Sequence, residues 1–148
     1  MMPTLVGAED GNARSTGDIV LVNRLAYSAS SSGGPARWDV VILRHADGEE
    51  SVKRVVGLPG ETVEIREGAL AVNGSRLEPP AHLAGEYIVQ KGRFGHAPAV
   101  LGEGAYFVLG DSSYVSQDSR RWGPVGREEI EGRVMCIVFP LARAGWVR

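Results

Sequence analysis

Glu50-Ser51-Val52-Lys53-Arg54-Val55-Val56-Gly57-Leu58-Pro59-Gly60-Glu61 is the stretch whose reading decides the fold. Val52, Val55 and Val56 favour an extended backbone, and Leu-Pro-Gly closes the run in a turn, so a strand is expected with Lys53 in its middle. If that strand packs on both faces, the ammonium of Lys53 loses hydration, and burial disfavours the charged form. An amine with a lowered pKa can act as general base or nucleophile near neutral pH. From an exposed edge the same side chain would instead carry its charge out to water along its aliphatic stem.

Working outward, Trp38-Asp39-Val40-Val41-Ile42-Leu43-Arg44 reads as the preceding strand, with Asp47-Gly48 as the hairpin turn between the two. Thr62 to Arg66 alternates cleanly and Ala69 to Val72 follows it. Asn73-Gly74 then tolerates the positive φ angles of a type I′ turn. Gly17 to Leu25, Tyr106 to Leu109 and Gly132 to Phe139 read as further strands. Val6 to Thr16, the Ser/Gly tract Ser28 to Pro35 and the polar stretch Ser112 to Gly123 read as loops. Pro124 to Ile130 suits a turn or one helical turn. Between Glu78 and Gly104, Pro79-Pro80, Gly92, Gly95 and Pro98 are expected to break any regular element. The fold class is mostly β: a compact antiparallel sheet assembly with a small inserted β excursion. One domain is expected over residues 1–148, with the insertion at about 61–104.

Composition narrows the function classes. The 148 residues carry a net charge of −2, and Lys and Arg are scattered rather than massed on one stripe, so no nucleic-acid partner is indicated. Cys136 is the single cysteine; it excludes an internal disulfide and a thiolate zinc cluster and reads as a small buried strand residue. His45, His82 and His96 show no spacing suited to a metal or a Ser-His-Asp site and read as solvent or loop histidines. No cofactor is expected. No apolar run approaches the ~20 residues that span a bilayer, and no signal-peptide layout opens the chain, so a soluble fragment is expected.

Four segments stand in a telling order: Met1-Met2-Pro3-Thr4-Leu5, Gly17-Asp18-Ile19-Val20-Leu21-Val22, Lys53 to Glu61, and Gly110-Asp111-Ser112-Ser113-Tyr114-Val115-Ser116-Gln117-Asp118-Ser119-Arg120. Together they resemble the ordered boxes of the type I signal peptidases, membrane-anchored serine endopeptidases with a Ser-Lys dyad. The resemblance implies that Lys53 is the general base and that Ser116 supplies the hydroxyl orienting it. It further implies that Asp118 and Arg120 support the loop, and that Met1, Pro3, Ser51 and Val52 line the substrate groove. Chemistry agrees with the first two roles, because a neighbouring hydroxyl directs a neutral amine without adding charge that would raise its pKa again. The implied partners are exported preproteins, bound through the signal-peptide region as an added β-strand and cut after small residues. The implied location is the outer face of the cytoplasmic membrane, reached through an N-terminal anchor that the chain as given does not contain.

One departure bears on activity. In the family's box the nucleophilic serine immediately precedes the methionine that is here Met1. The chain as given is therefore expected to lack the nucleophile and to be inactive or nearly so, while the full-length protein extends upstream. Ser119 lies inside the supporting triplet, and Ser15, Ser28 and Ser30 to Ser32 lie in loops, so none substitutes well. A second reading is a non-catalytic homologue that binds extended peptides or a membrane partner. A third, a LexA-like self-cleaving domain, lacks a recognisable Ala-Gly linker ahead of it and fits the Gly110-to-Arg120 loop less well.

Overall fold

The computed structural model describes residues 5, 17–28, 33–66, 68–83, 96–111 and 116–147. In chain order the strands are β1 Ile19–Asn23, β2 Val40–Arg44, β3 Glu50–Gly57, β4 Thr62–Arg66, β5 Ala69–Val72, β6 Ser75–Arg76, β7 His96–Val100, β8 Ala105–Leu109, β9 Val125–Gly126, β10 Ile130–Phe139 and β11 Gly145–Trp146. One helical turn, α1 Ser119–Trp122, precedes β9.

β2 and β3 form the expected antiparallel hairpin, with Val41 opposite Lys53 and Leu43 opposite Ser51. Its turn follows from Asp47-Gly48: Gly48 takes φ 87°, and the Asp47 carboxylate accepts the Glu49 N–H at 2.9 Å, a local bond that aspartate readily makes. The main sheet runs β1-β10-β2-β3-β8-β9, with β11 added to β10. A second sheet, β6-β5-β4-β7, is built from the segment between β3 and β8. Asn73 and Gly74 both have positive φ, 51° and 77°, as the β5–β6 turn requires.

Period-two alternation assigns the cores. Val63 and Ile65 of β4 turn inward with Leu70 to meet Val56, Phe107 and Leu109 from the main sheet, and Leu83 and Leu101 fill the rim. On the opposite face Val41, Leu43, Val55 and Val108 pack with Tyr27, Tyr106, Val125 and Ile130. Val40, Ile42 and Val134 form a third cluster against Leu5, Val20 and Val22.

Several boundaries differ from the sequence reading. The stretch Glu78 to Gly104 is not irregular throughout: β7 pairs with β4, Val63 opposite Ala99, and Ala81–Leu83 makes a 3-10 turn that buries Leu83. Pro98 is compatible with β7 because among the described residues that strand is a sheet edge, where proline is tolerated. Ser119 to Trp122 is helical rather than loop. The first strand stops at Asn23, and Trp38, at φ 74°, precedes β2 in a turn instead of belonging to it. Cys136 is half-buried in β10. The reading of Val6 to Thr16 as loop lies outside the described residues.

Gly57 sits where the sheets meet. A Cβ there would lie 2.5 Å from Val63 Cγ2, 2.8 Å from Phe107 Cβ and 2.9 Å from Leu101 Cδ1. Gly57→Ala is therefore expected to destabilise the domain by about 1–3 kcal/mol through overpacking. Denaturant unfolding reads this as a lower midpoint at unchanged slope.

Candidate active site

Lys53 and Arg54 are consecutive cations on β3, so the pleat sends them to opposite faces. Arg54 is 1% exposed, yet fully paired. Its Nε and Nη2 donate to Asp111 Oδ1 and Oδ2 at 3.0 and 2.9 Å, and Nη1 donates to the Trp38 carbonyl at 2.9 Å. Such a two-pronged pair keeps both charges inside the fold. Lys53, on the face of Val41 and Val55, is half-buried, and its Nζ donates to the Val52 carbonyl at 3.2 Å. Burial pushes its pKa below the ordinary lysine value, and the Asp118 carboxylate opposes that shift more weakly.

The neighbour of Lys53 follows from register. Arg54 stands opposite Leu109, and one further antiparallel step brings Lys53 beside Gly110. Directly opposite residues share a face, so the Cβ direction of Gly110 lies on the Lys53 side. That direction is filled by Ser116: a Cβ on Gly110 would fall on Ser116 Oγ and lie 2.6 Å from Ser116 Cβ. Glycine is needed here to let the serine approach the strand end. The Ser116 Oγ is buried and has no hydrogen-bond partner among the described residues. A buried hydroxyl seeks a partner, and an amine placed on the same face is a suitable one.

Asp118 holds the loop in place. It is fully buried and its Oδ2 accepts the Gly110 N–H at 3.0 Å. Oδ1 accepts the Arg120 N–H at 3.2 Å, capping α1. The Arg120 guanidinium adds Nε to Oδ1 at 2.7 Å and Nη2 to Oδ2 at 2.6 Å. Ser119, whose Oγ accepts the Val108 N–H at 3.0 Å, is committed to the sheet and buried, not poised as a nucleophile.

The structure thus brings Lys53, Ser116, Asp118 and Arg120 to one end of the β3–β8 pair. Ser51 shares the Lys53 face, whereas Val52 is on the other and 37% exposed. Met1 and Pro3 lie outside the described residues. β8 pairs with β3 only from Arg54 onward, so the Glu50-to-Lys53 edge on that side has no strand neighbour among the described residues. Sequence reasoning missed the Arg54–Asp111 pair and the need for Gly110, although a glycine closing an apolar strand just before an acidic residue was a visible signal. Of the histidines, His96 needs correction. His45 is in a loop but not free in solvent, since its Nε2 lies 2.8 Å from Ser51 Oγ. The backbone of His96 belongs to β7.

Comparison with known proteins finds a match over residues 1–139 to the family described as signal peptidase, peptidase S26. Signal peptidase IB of Staphylococcus aureus is 33% identical over 138 aligned residues, spanning 85% of this chain and 71% of the relative. A probable signal peptidase I-2 of Synechocystis is 29% identical over 135, spanning 86% and 58%. The solved structure of a signal peptidase I from Enterococcus faecalis superposes with a TM-score of 0.56 at 33% identity, covering 70% of this chain and 98% of that one.

Asp118→Ala would leave Arg120, 7% exposed at its side chain, without its carboxylate and strip acceptors from Gly110 and the helix start. The expected loss is about 3–5 kcal/mol, measured by chemical denaturation, with Asp118→Asn falling between this variant and the parent.

Proposed function

Since the chain belongs to the signal peptidase family, peptidase S26, whose members are serine proteases that remove signal peptides, we propose that Lys53 is its general base and Ser116 the hydroxyl that orients it. The nucleophile in this reading is a serine directly ahead of Met1, whose proton passes to the neutral Nζ of Lys53 as its Oγ attacks the scissile carbonyl. Asp118 and Arg120 keep the loop rigid, so that Ser116 stays over Gly110. Met1, Pro3, Ser51 and Val52 line the groove, where the signal-peptide region of an exported preprotein adds as a strand along the open edge of β3. Residues 50–53 there offer main-chain bonds, and Ser51 and Val52 meet alternate substrate side chains from the two faces.

One observation carries the reading: a half-buried lysine whose charged form burial disfavours faces the glycine over which sits a buried serine hydroxyl with no hydrogen-bond partner among the described residues. A lysine kept only for its charge would be served better by water or by a carboxylate contact such as Arg54 has. The proposal includes a membrane location with the catalytic domain on the outer face, reached through an anchor upstream of Met1. Among the described residues no helix is long and apolar enough to cross a membrane.

Activity is expected to rise with pH, because only the deprotonated amine accepts the proton. The rise falls below the ordinary lysine range, since burial lowers the Lys53 pKa. Asp118→Asn removes the opposing influence and moves the profile to lower pH. Across the same window the unfolded chain binds the proton that the folded one has lost, so the Lys53 contribution to stability also rises with pH. Pre-steady-state cleavage at varied pH reads the profile.

Lys53→Arg is expected to abolish cleavage. Ser116→Ala should lower kcat by about a hundred-fold, the scale of a misplaced catalytic group. Residues 1–148 alone should cleave a signal-sequence peptide slower by about three or more powers of ten than a polypeptide extended upstream through the serine. No gain on extension would reject the active-enzyme reading in favour of a peptide-binding homologue.

A further inference from the structure

A histidine outside the groups already assigned is built into the same end of the sheet. His45 follows β2, its Nε2 stands 2.8 Å from Ser51 Oγ, and its ring meets that of Trp122 edge-on with centroids 5.7 Å apart and planes at 70°. Ser51 and Lys53 are two apart on β3 and share a face. Both flank the edge of β3 that lacks a strand neighbour among the described residues. Trp122 ends α1, whose first turn is fixed by the Asp118 cap and by Ser119 on β8. His45 thus ties the hairpin to the far end of the element that carries the loop support.

The geometry points to His45 as a positioning residue for the substrate strand, orienting the Ser51 hydroxyl and seating Trp122 against the hairpin; this rests on the signal-peptidase reading above. A serine hydroxyl has one donor and two acceptor sites. The imidazole engages one of them, which fixes the direction of the others along the edge where peptide main-chain groups would lie. Without that bond the hydroxyl rotates freely and must be ordered again each time a peptide binds. The indole is 38% exposed, and its edge contact with the imidazole restrains the ring. His45 touches no reacting atom, so its influence falls on binding and leaves proton transfer by Lys53 alone.

Steady-state cleavage of a signal-sequence peptide by the full-length protein tests this. His45→Ala is expected to raise KM by about three- to ten-fold, the scale of one lost hydrogen bond with its ordering, while kcat and the midpoint of the pH profile stay at the parent values. His45→Gln, whose amide can reach Ser51, should recover part of the loss. Ser51→Ala added to His45→Ala should raise KM by less than the product of the two single effects, because both remove the same bond. An unchanged KM in folded His45→Ala overturns the inference, as does a fall in kcat with a displaced pH midpoint. If His45→Ala does not fold, Ser51→Ala and Trp122→Leu carry the same expectation, and an unchanged KM in both overturns it. A full-length parent that cleaves no signal-sequence peptide sinks the broader reading and this one with it. A parent that cleaves beside a His45→Ala variant of equal KM sinks this one alone.

Discussion

The carboxylate of Asp118 is the constraint on which the site depends. Sealed from water, it gathers a strand-end N–H from Gly110, the Arg120 N–H in the first turn of α1 and the Arg120 guanidinium onto two oxygens. A buried charge is tolerated only when bonded this completely. The geometry that satisfies it also fixes the path of the chain past Gly110, which is where Ser116 packs. One carboxylate therefore determines where a serine sits and, by its field, how far burial can lower the pKa of the lysine nearby.

The contrast between Lys53 and Arg54 shows how the pleat separates two fates. Adjacent in sequence, they differ by a half-turn of the strand. Arg54 enters the face between the sheets and stays charged because Asp111 meets it with two parallel bonds. Lys53 enters the face toward Gly110, where its Nζ donates to the Val52 carbonyl, Val41 stands opposite and the Asp118 carboxylate acts only weakly against burial. Guanidinium suits the first place, being planar and never neutral in proteins. A primary amine suits the second, because it can give up its proton when hydration is withdrawn.

Much of this was legible in the sequence for identifiable reasons. Val52, Val55 and Val56 around Lys53, the Asp47-Gly48 and Asn73-Gly74 turns and the alternation of Thr62 to Arg66 are local signals, and the structure agrees with each. The site's candidate residues were reached through the order of four boxes, not through spacing or charge. What stayed hidden depends on partners distant in sequence. Pro98 argued against a strand until β4 supplied one edge for β7, and Ser119 to Trp122 looked like loop because a helix of four residues has no periodicity to display. His45 carried no motif, since its partners Ser51 and Trp122 come from two different elements.

The placement of β10 between β1 and β2 has a consequence for how the protein comes into being. Among the described residues β1 takes its hydrogen bonds from β10 alone, so Ile19 waits for Phe139, far later in the chain. The nascent chain carries the Lys53 amine long before β10, the strand that flanks β2, is available to it, whereas Ser116 and Asp118 come only shortly ahead of that strand. The hairpin that carries Lys53 is thereby left without its neighbour on the β2 side until β10 has been made.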